Sequence, residues 1–363
     1  MTAPRILMNC IRMHRKGDNA FSGKFSHCLR LITALEQLQQ IDLHVHVDEQ
    51  TLSYIAPVIP HDRLVLEDRS VNSVIDMELS ILRAVKRIRP DLYHKPIGQL
   101  PLLPIGCKSV WGVADLGYRH LPMGRIQRLY KQISYRVSAC KAVRILTVSD
   151  STNREVVEAL NVPREKVQTI YPGTTSFECP VEVYPNLSPR FVITFAHQRH
   201  KNVEKVIEAV TAVRASGIEL ALIVVGSLDY RQDLDRVAAE NKISEHVIYT
   251  GHVSDGQLRH LYENALCLAF LSRHEGFGLP VLEAMNAGCP VISSDAFALP
   301  EVVGDAAPIY DCDDHEGVAS ELRNFISDES YRESWIAKGH ANAKKFTWQR
   351  AAEETVAVYR SEL

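Results

Sequence analysis

Short apolar runs alternate with longer amphipathic stretches along both halves of this chain. The predicted strands of the first half are Arg5–Cys10, Leu43–Val47, Leu92–His94, Ser109–Val113 and Ile145–Val148. Those of the second half are Phe191–Phe195, Leu220–Val225, Val247–Thr250, Leu266–Phe270 and Val291–Ser293. The intervening stretches space their apolar residues as helices do. Because strands that alternate with helices build βαβ units, the pattern predicts an α/β fold with parallel sheets.

The chain has 363 residues, which is too long for one ordinary hydrophobic core and favours two domains. The proline-rich stretch 173–189 lacks periodicity and is the predicted linker between domains at 1–172 and 190–346. Each domain is expected to be Rossmann-like, with a doubly wound parallel sheet. Two such sheets facing each other would form a cleft at the carboxyl ends of their strands, where ligands bind.

Composition narrows the class of protein. Hydrophobic residues make up 46% of the chain and charged residues 23%, as in soluble globular proteins. The apolar runs are too short to span a bilayer, and the eight cysteines show no zinc spacing, so a cytoplasmic protein with reduced, buried thiols is expected. Residues 1–175 hold 24 Lys and Arg against 16 Asp and Glu, whereas residues 176–363 hold 17 against 28. The basic first half is predicted to meet something anionic.

Residues 275–283 read Glu-Gly-Phe-Gly-Leu-Pro-Val-Leu-Glu. Glycines allow backbone amides to approach a ligand closely, and a proline is well tolerated in the first turn of a helix. A helix N-terminus also attracts anions. The segment therefore predicts an anion-binding turn, with Glu275 before it and Glu283 inside the following helix.

Four stretches together resemble the retaining nucleotide-sugar glycosyltransferases of the GT-B fold and the E-x7-E (family 4) type, which include bacterial polysaccharide and lipopolysaccharide mannosyl- and glucosyltransferases. The stretches are Glu275–Glu283, Leu299–Ala307, the pair Val148–Asp150 and Ile170–Gly173, and Phe346–Trp348. The resemblance implies two Rossmann-like domains, with the helix 347–363 crossing back onto the first. It also implies transfer of a hexose from a nucleotide diphosphate sugar, with retention of configuration.

Roles for individual residues follow from the resemblance. It implies that Glu275 faces the donor hexose and that Glu283 binds the ribose. The amides that would meet the diphosphate are those of Gly276, Phe277, Gly278 and Leu279. Lys201 matches the family's lysine, and Arg199 is the candidate for its arginine. The usual Gly-Arg after the strand is absent, which leaves His197 as a rival to Arg199.

Other candidates are less sharply defined by the pattern. The resemblance implies that backbone groups near Val253, after a predicted strand, meet the nucleobase. It also implies that Gly23 closes the family's glycine-containing loop (17–23) before the first helix. The family commonly has a histidine before Asp-Leu in the first domain, but this chain has Ala114 there. Asp115 remains on the acceptor side, and His120 is a possible spatial substitute for the missing histidine.

Segment 124–144 carries six cations and no acid, with an apolar face at helical spacing. Two interpretations stay open: contact with an anionic membrane that holds a lipid-linked acceptor, or a helix whose apolar face packs on the core. Asp-x-Asp pairs occur at 233–235 and 311–313. We treat both as chance and predict no required metal or other cofactor.

The resemblance therefore implies a hexosyltransferase of polysaccharide assembly and favours GDP-mannose over a UDP-sugar as the donor. No nucleic-acid partner is expected. The alternative is a nucleotide-sugar-binding protein with weak or no transfer, because Ala114 replaces the family histidine. A dinucleotide-dependent dehydrogenase is disfavoured, since no G-x-G-x-x-G follows the first strand. Acceptor, linkage and oligomeric state are not encoded in any motif of the sequence.

Overall fold

Two compact units make up the chain in a computed structural model. The first unit combines residues 1–173 with 347–363, and the second comprises residues 174–346. The described residues are 3–11, 23–67, 71, 73–174, 177, 179–226 and 230–363.

The first unit is built on a parallel sheet of seven strands. They are β1 (Arg5–Asn9), β2 (Asp42–Val47), β3 (Leu64–Leu66), β4 (Leu92–Lys95), β5 (Lys108–Val113), β6 (Arg144–Thr147) and β7 (Val167–Thr169). Their spatial order is β3-β2-β1-β4-β5-β6-β7. The direction of growth reverses between β1 and β4, as in a doubly wound sheet. Apolar side chains pack on both faces of this sheet, which explains why its strands read as continuous apolar runs.

Seven α-helices flank this sheet in the described part of the unit. They are α1 (Gly23–Leu38), α2 (Glu49–Ile55), α3 (Val74–Ile88), α4 (Gly117–His120), α5 (Arg125–Lys141), α6 (Asp150–Leu160) and the last helix of the chain, α14 (Trp348–Glu362). Helix α3 begins at a capping box in which Ser73 and Asp76 satisfy each other's backbone amides. Helix α14 packs against α1 and contributes Ala352, Val356 and Tyr359 to the same core.

The second unit repeats the plan with six parallel strands in the order β10-β9-β8-β11-β12-β13. They are β8 (Phe191–Phe195), β9 (Ala221–Val225), β10 (Val247–Gly251), β11 (Cys267–Phe270), β12 (Val291–Ser294) and β13 (Ile309–Tyr310). The helices are α7 (Val203–Arg214), α8 (Arg231–Glu240), α9 (Asp255–Asn264), α10 (Leu279–Asn286), α11 (Leu299–Val303), α12 (His315–Ser327) and α13 (Glu329–Ala343). The predicted pair of doubly wound parallel sheets is confirmed.

The stretch predicted as a linker, 173–189, packs on α9 where it is described. Arg259 donates hydrogen bonds to the carbonyls of Phe177 and Cys179, at 3.3 and 3.0 Å. The hydroxyl of Ser254 donates to the Glu182 carboxylate at 2.7 Å. This part of the chain is therefore held by the second unit rather than running free.

The burial of residues in α5 contradicts one of the two interpretations of segment 124–144. Its buried residues are Ser134, Tyr135, Ser138 and Ala139. The predicted apolar stripe lies on the opposite side, where Ile126 is 87% exposed and Leu129 57% exposed. The interpretation that this stripe packs on the core is wrong, because small and hydroxyl side chains make the contact with the sheet instead.

The eight cysteines are free thiols, and only part of the expectation about them holds. Cys10, Cys28, Cys267 and Cys289 are buried, but Cys140 is exposed on α5. Burial raises the pKa of Cys289, which keeps that thiol protonated. Among the described residues, no helix combines the length and the apolarity needed to cross a membrane.

A buried histidine makes the stability of the first unit depend on pH. His46 is 1% exposed, and its ring nitrogens lie 3.1 Å from Asn9 Nδ2 and from Ser80 Oγ. Burial lowers the pKa of His46 from 6.5 to about 4, so the unfolded chain binds this proton more readily than the folded one. The protein therefore loses stability as the pH falls from 6.5, the pKa of His46 in the unfolded chain, toward about 4, its pKa in the folded protein.

For this one histidine we expect a loss of about 2 kcal/mol between pH 7.5 and pH 5. Urea unfolding followed by tryptophan fluorescence would measure it, in a Trp335→Phe background that leaves only the two tryptophans of the first unit. The variant His46→Gln should reduce the pH dependence by this amount without abolishing it, because burial also lowers the pKa of His27 and His94 in the same unit. If the free energy of unfolding depends on pH equally in His46→Gln and in the parent protein, His46 is not a source of the pH dependence.

Candidate functional site

The second sheet reverses its direction of growth between β8 and β11. These strands are parallel neighbours, with Val192 beside Cys267 and Ile193 beside Leu268. In open α/β sheets, ligands bind at the carboxyl ends of the strands at such a reversal. The loops that leave these two ends, 196–202 and 271–278, contain most of the predicted site residues.

Lys201 and Glu275 form an ion pair at this point. The Lys201 Nζ lies 2.5 Å from Glu275 Oε1, although 74 residues separate them in sequence. The two side chains are only 12% and 13% exposed, and the ammonium lies 4.9 Å from the centre of the Phe270 ring. His200 Nε2 lies 4.0 Å from the same carboxylate oxygen. A partly desolvated pair interacts more strongly than one on the surface, so each group holds the other in place at this edge of the sheet.

The turn after Glu275 leads into α10 as the glycines predict. Gly278 precedes the helix with φ of +117°, a conformation that favours glycine, and a Cβ there would lie 2.8 Å from Leu299 Cδ2. Gly278 offers no side chain to cap the first-turn amides. Pro280 occupies the second position of α10, because the helix begins at Leu279 rather than at the proline.

Two other residues of the motif, Phe277 and Glu283, differ in how deeply their side chains are buried. Phe277 is 5% exposed and its ring contacts Phe346 edge to face at 5.7 Å, so only its backbone faces the turn. Glu283 is half-buried on α10. The pKa of the Tyr262 phenol is raised by its burial and by the nearby Glu283 carboxylate, and its hydroxyl lies 3.3 Å from the Pro280 carbonyl.

The rival cations after β8 point in different directions. The Arg199 guanidinium is paired with Asp233 at the start of α8 and lies 5.4 Å from the centre of the Tyr230 ring. His197 lies over the end of β9, where its Cε1 would be 2.5 Å from a Cβ on Gly226. Lys201 is therefore the predicted cation that the structure places against Glu275.

Val253 lies after β10 and is 8% exposed, so its side chain is committed to packing. Gly251 just before it has φ of +67°, and its carbonyl accepts from the Gly226 amide at 2.9 Å. The ends of β9 and β10 are thus joined beside the predicted site.

The candidates in the first unit lie near β5 and α1. Gly23 is the first residue of α1, whereas residues 17–22 of its loop lie outside the described residues. Asp115 accepts from the Gly117 amide at 2.7 Å, and the Ala114 carbonyl accepts from the Thr152 hydroxyl. His120 Nε2 lies 2.5 Å from Glu155 Oε1 on α6. Sequence reasoning missed Glu155 because 35 residues separate it from His120 with no local spacing to connect them.

Both Asp-x-Asp pairs have contacts of their own. Asp233 pairs with Arg199 from α8. Asp311, Cys312 and Asp313 bring three potential ligand atoms within 4.8 Å of one another. However, both carboxylate oxygens of Asp313 accept from Arg273, at 2.9 and 2.5 Å, and Asp311 accepts from the Asp313 amide. Sequence reasoning also missed Arg273, whose partners come from two other loops.

Two family models match the chain. "Glycosyltransferase Family 4" matches residues 21–175, and "Glycosyl transferases group 1" matches residues 185–342. The first falls on the first unit and the second on the second unit. Together they include the ends of β8 and β11 and the E-x7-E segment.

Similar proteins include bacterial mannosyltransferases. The chain is 30% identical to the O-antigen chain mannosyltransferase B of Escherichia coli over 251 residues. The aligned residues cover 66% of this chain and 65% of the relative. It is 25% identical to the O-antigen chain mannosyltransferase RfbU of Salmonella typhimurium, over 88% of this chain and 90% of that one. The Anabaena Alr3699/HepE structure, in complex with UDP and glucose, superposes with a TM-score of 0.78 at 16% identity, covering 99% and 100% of the two chains.

Proposed function

This chain belongs to the group 1 and family 4 glycosyltransferases of the GT-B fold, and from that premise we propose that it moves a hexose from a nucleotide diphosphate sugar to a glycan or lipid-linked acceptor hydroxyl in polysaccharide or lipopolysaccharide assembly. One observation carries the proposal. The Lys201–Glu275 pair lies at the reversal point of the second sheet, directly before the glycine turn and N-terminus of α10.

Transfer of a glycosyl group breaks the bond between the anomeric carbon and the diphosphate, so negative charge grows on the leaving group. Lys201 would stabilise that charge as a fixed cation, together with the amides of Gly276 to Leu279. Glu275 would hold Lys201 in place and accept from hexose hydroxyls, and Glu283 would accept from the ribose. We propose retention of configuration by front-face attack, in which the leaving phosphate takes the proton of the acceptor hydroxyl.

The preferred donor is GDP-mannose. The support is that the O-antigen relatives are named as mannosyltransferases, whereas UDP in the Anabaena structure favours a UDP-sugar as the alternative. The test measures the melting temperature with GDP, UDP, ADP and their sugars, followed by transfer of labelled hexose to bacterial lipid extract. Stabilisation by one nucleotide, with transfer from its sugar, is expected. A chain that none of them stabilises, and that transfers nothing, would overturn the proposal.

A second candidate function is nucleotide-sugar binding without useful transfer. Ala114 favours it, because alanine has no side-chain group to contact the donor where the family has a histidine. The same experiment separates the two functions, since a binding protein would be stabilised by a nucleotide sugar but would neither transfer nor hydrolyse it. We further propose that transfer needs no metal, and full activity in EDTA is the expected result.

For the acceptor side we propose that segment 124–144 contacts an anionic membrane, at the inner face of the cytoplasmic membrane. Ile126, Leu129, Tyr130 and Ile133 are between 40% and 87% exposed. They lie on one face of α5, opposite the face that packs on the sheet. Helix α5 contains no acidic residue, and its cations Arg125, Arg128 and Arg136 are exposed. A helix with only positive charges is better suited to an anionic lipid surface than to a protein surface of mixed charge.

We expect the protein to bind phosphatidylcholine vesicles more tightly when they contain phosphatidylglycerol, and less tightly at high salt. Replacing Ile126 and Leu129 by serine should weaken binding roughly tenfold or more, because buried apolar area is lost. Val183→Ser, at a residue that is 73% exposed in the second unit, is the matched control. Co-sedimentation with vesicles measures the binding of each variant. Binding that ignores phosphatidylglycerol or the double substitution would refute the contact, as would a stable dimer formed through this face.

A further inference from the structure

Arg273 joins three loops at the carboxyl edge of the second sheet. Its guanidinium grips the Asp313 carboxylate through both terminal nitrogens, at 2.9 and 2.5 Å. One of those nitrogens also donates to Asn202 Oδ1 at 3.2 Å. We call Arg273, Asn202 and Asp313 the Arg273 clamp. Its members follow β11, β8 and β13 respectively.

The clamp lies beside both members of the Lys201–Glu275 pair. Asn202 directly follows Lys201, is 3% exposed, and has φ of +58° at the junction with α7. Its amide nitrogen donates to the Cys312 carbonyl at 2.6 Å, so both ends of the Asn202 side chain are held. On the other strand, the Arg273 amide donates to the His200 carbonyl at 2.8 Å, which fixes the backbone two residues before Glu275.

Stability alone does not account for this arrangement. The Arg273 and Asp313 side chains are 45% and 54% exposed, and an ion pair that water can reach contributes little to folding. The planar fork of arginine instead supplies direction, because two parallel hydrogen bonds allow only one orientation of the guanidinium. The same guanidinium donates to Asn202, which directly follows Lys201 in the chain.

We propose that Arg273 is a positioning residue for glycosyl transfer: the clamp sets the Lys201 ammonium against Glu275 and the leaving diphosphate. This inference rests on the proposed function. It also assigns the Asp311–Asp313 loop a role in holding Arg273 rather than a metal. Since a displacement of about 1 Å at a reacting group can cost on the order of 100-fold in rate, loss of the clamp should act on turnover.

The test is a double-mutant cycle on Arg273→Ala and Lys201→Ala. Arg273→Ala should lower kcat about 10- to 100-fold, with KM for the donor changed less than about threefold. If Arg273 acts through Lys201, its removal should cost less than about threefold in the Lys201→Ala background. Arg273→Lys should recover only part of the loss, because an ammonium cannot grip two partners as the fork does. Full, multiplicative losses in the double variant would overturn the inference.

Two controls make the result specific. Arg350→Ala removes an arginine that is 62% exposed and paired with Glu354 in α14, and it should leave kcat unchanged. If the wild-type protein has no turnover, that outcome counts against the proposed function alone. The clamp is then judged by calorimetry on the same four proteins with GDP and UDP, which already carry the charge that the diphosphate gains on leaving the sugar. A loss of affinity that depends on Lys201 supports the clamp, and independent losses overturn it.

Discussion

Glu275→Gln should lower kcat for hexose transfer by about 10²- to 10³-fold, the range seen when one preorganised electrostatic group is removed from an active site. The substitution keeps the shape of the side chain but removes its charge. It leaves the Lys201 ammonium, 12% exposed and 2.5 Å away, without its carboxylate partner. It would also weaken the proposed hydrogen bonds to the hexose, since a carboxylate is the stronger acceptor.

Steady-state rates with the identified donor would measure this loss, with circular dichroism to show that the variant is folded. Glu316→Gln, at a carboxylate that is 71% exposed on α12, is the control and should keep full activity. Glu283→Gln should instead raise the Kd for the nucleotide, because its proposed contact is with the ribose. Turnover of Glu275→Gln equal to wild type would exclude the role given to Glu275.

The sequence predicted the elements whose apolar pattern is long enough to show a period. β8 has the predicted bounds, Phe191–Phe195. β3 and β7 have three residues each and β13 has two, so no alternation can develop in them, and all three were missed. They complete the edges of sheets that the neighbouring strands have already formed.

Helix α5 shows why periodicity alone does not tell which face is buried. The stripe of Ile126, Leu129 and Ile133 has the spacing of a core-facing helix, yet it is exposed. Ser138 is buried because its hydroxyl donates to the Ser134 carbonyl and accepts from the Leu100 amide, which satisfies its polar group inside the protein. Pairs of this kind depend on tertiary structure and leave no signal in the local sequence.

The candidate site was predicted in part. The glycine turn and its two acids are contiguous, so their pattern is visible, and the resemblance supplied Lys201 as the cation. The proximity of Lys201 to Glu275 depends on β8 and β11 being neighbours, which the order of a doubly wound sheet provides. The Arg273 clamp draws on three loops separated by 40 residues or more, and no spacing in the sequence joins them.

The close contact between Gly173 and α14 makes the stability of the first unit sensitive to a substitution at this glycine. A Cβ on Gly173 would lie 2.2 Å from the Trp348 amide nitrogen and 2.6 Å from the Thr347 carbonyl carbon. These are backbone atoms at the start of α14, so they cannot move aside as the end of a long side chain can. The contact explains physically why a glycine closes the Ile170–Gly173 stretch in a chain that also carries Phe346–Trp348.

Gly173→Ala should therefore displace α14 from α1 and destabilise the first unit by about 3 kcal/mol or more, at the upper end of the cost of overpacking. Displacement would also break the 2.6 Å hydrogen bond between Tyr359 and His94. Urea unfolding and limited proteolysis of the C-terminal helix would measure both effects. Gly124→Ala, where an added Cβ meets nothing within 4 Å and φ is −60°, is the matched control and should keep wild-type stability. If the two variants unfold at the same urea concentration, α14 does not require the close approach at Gly173.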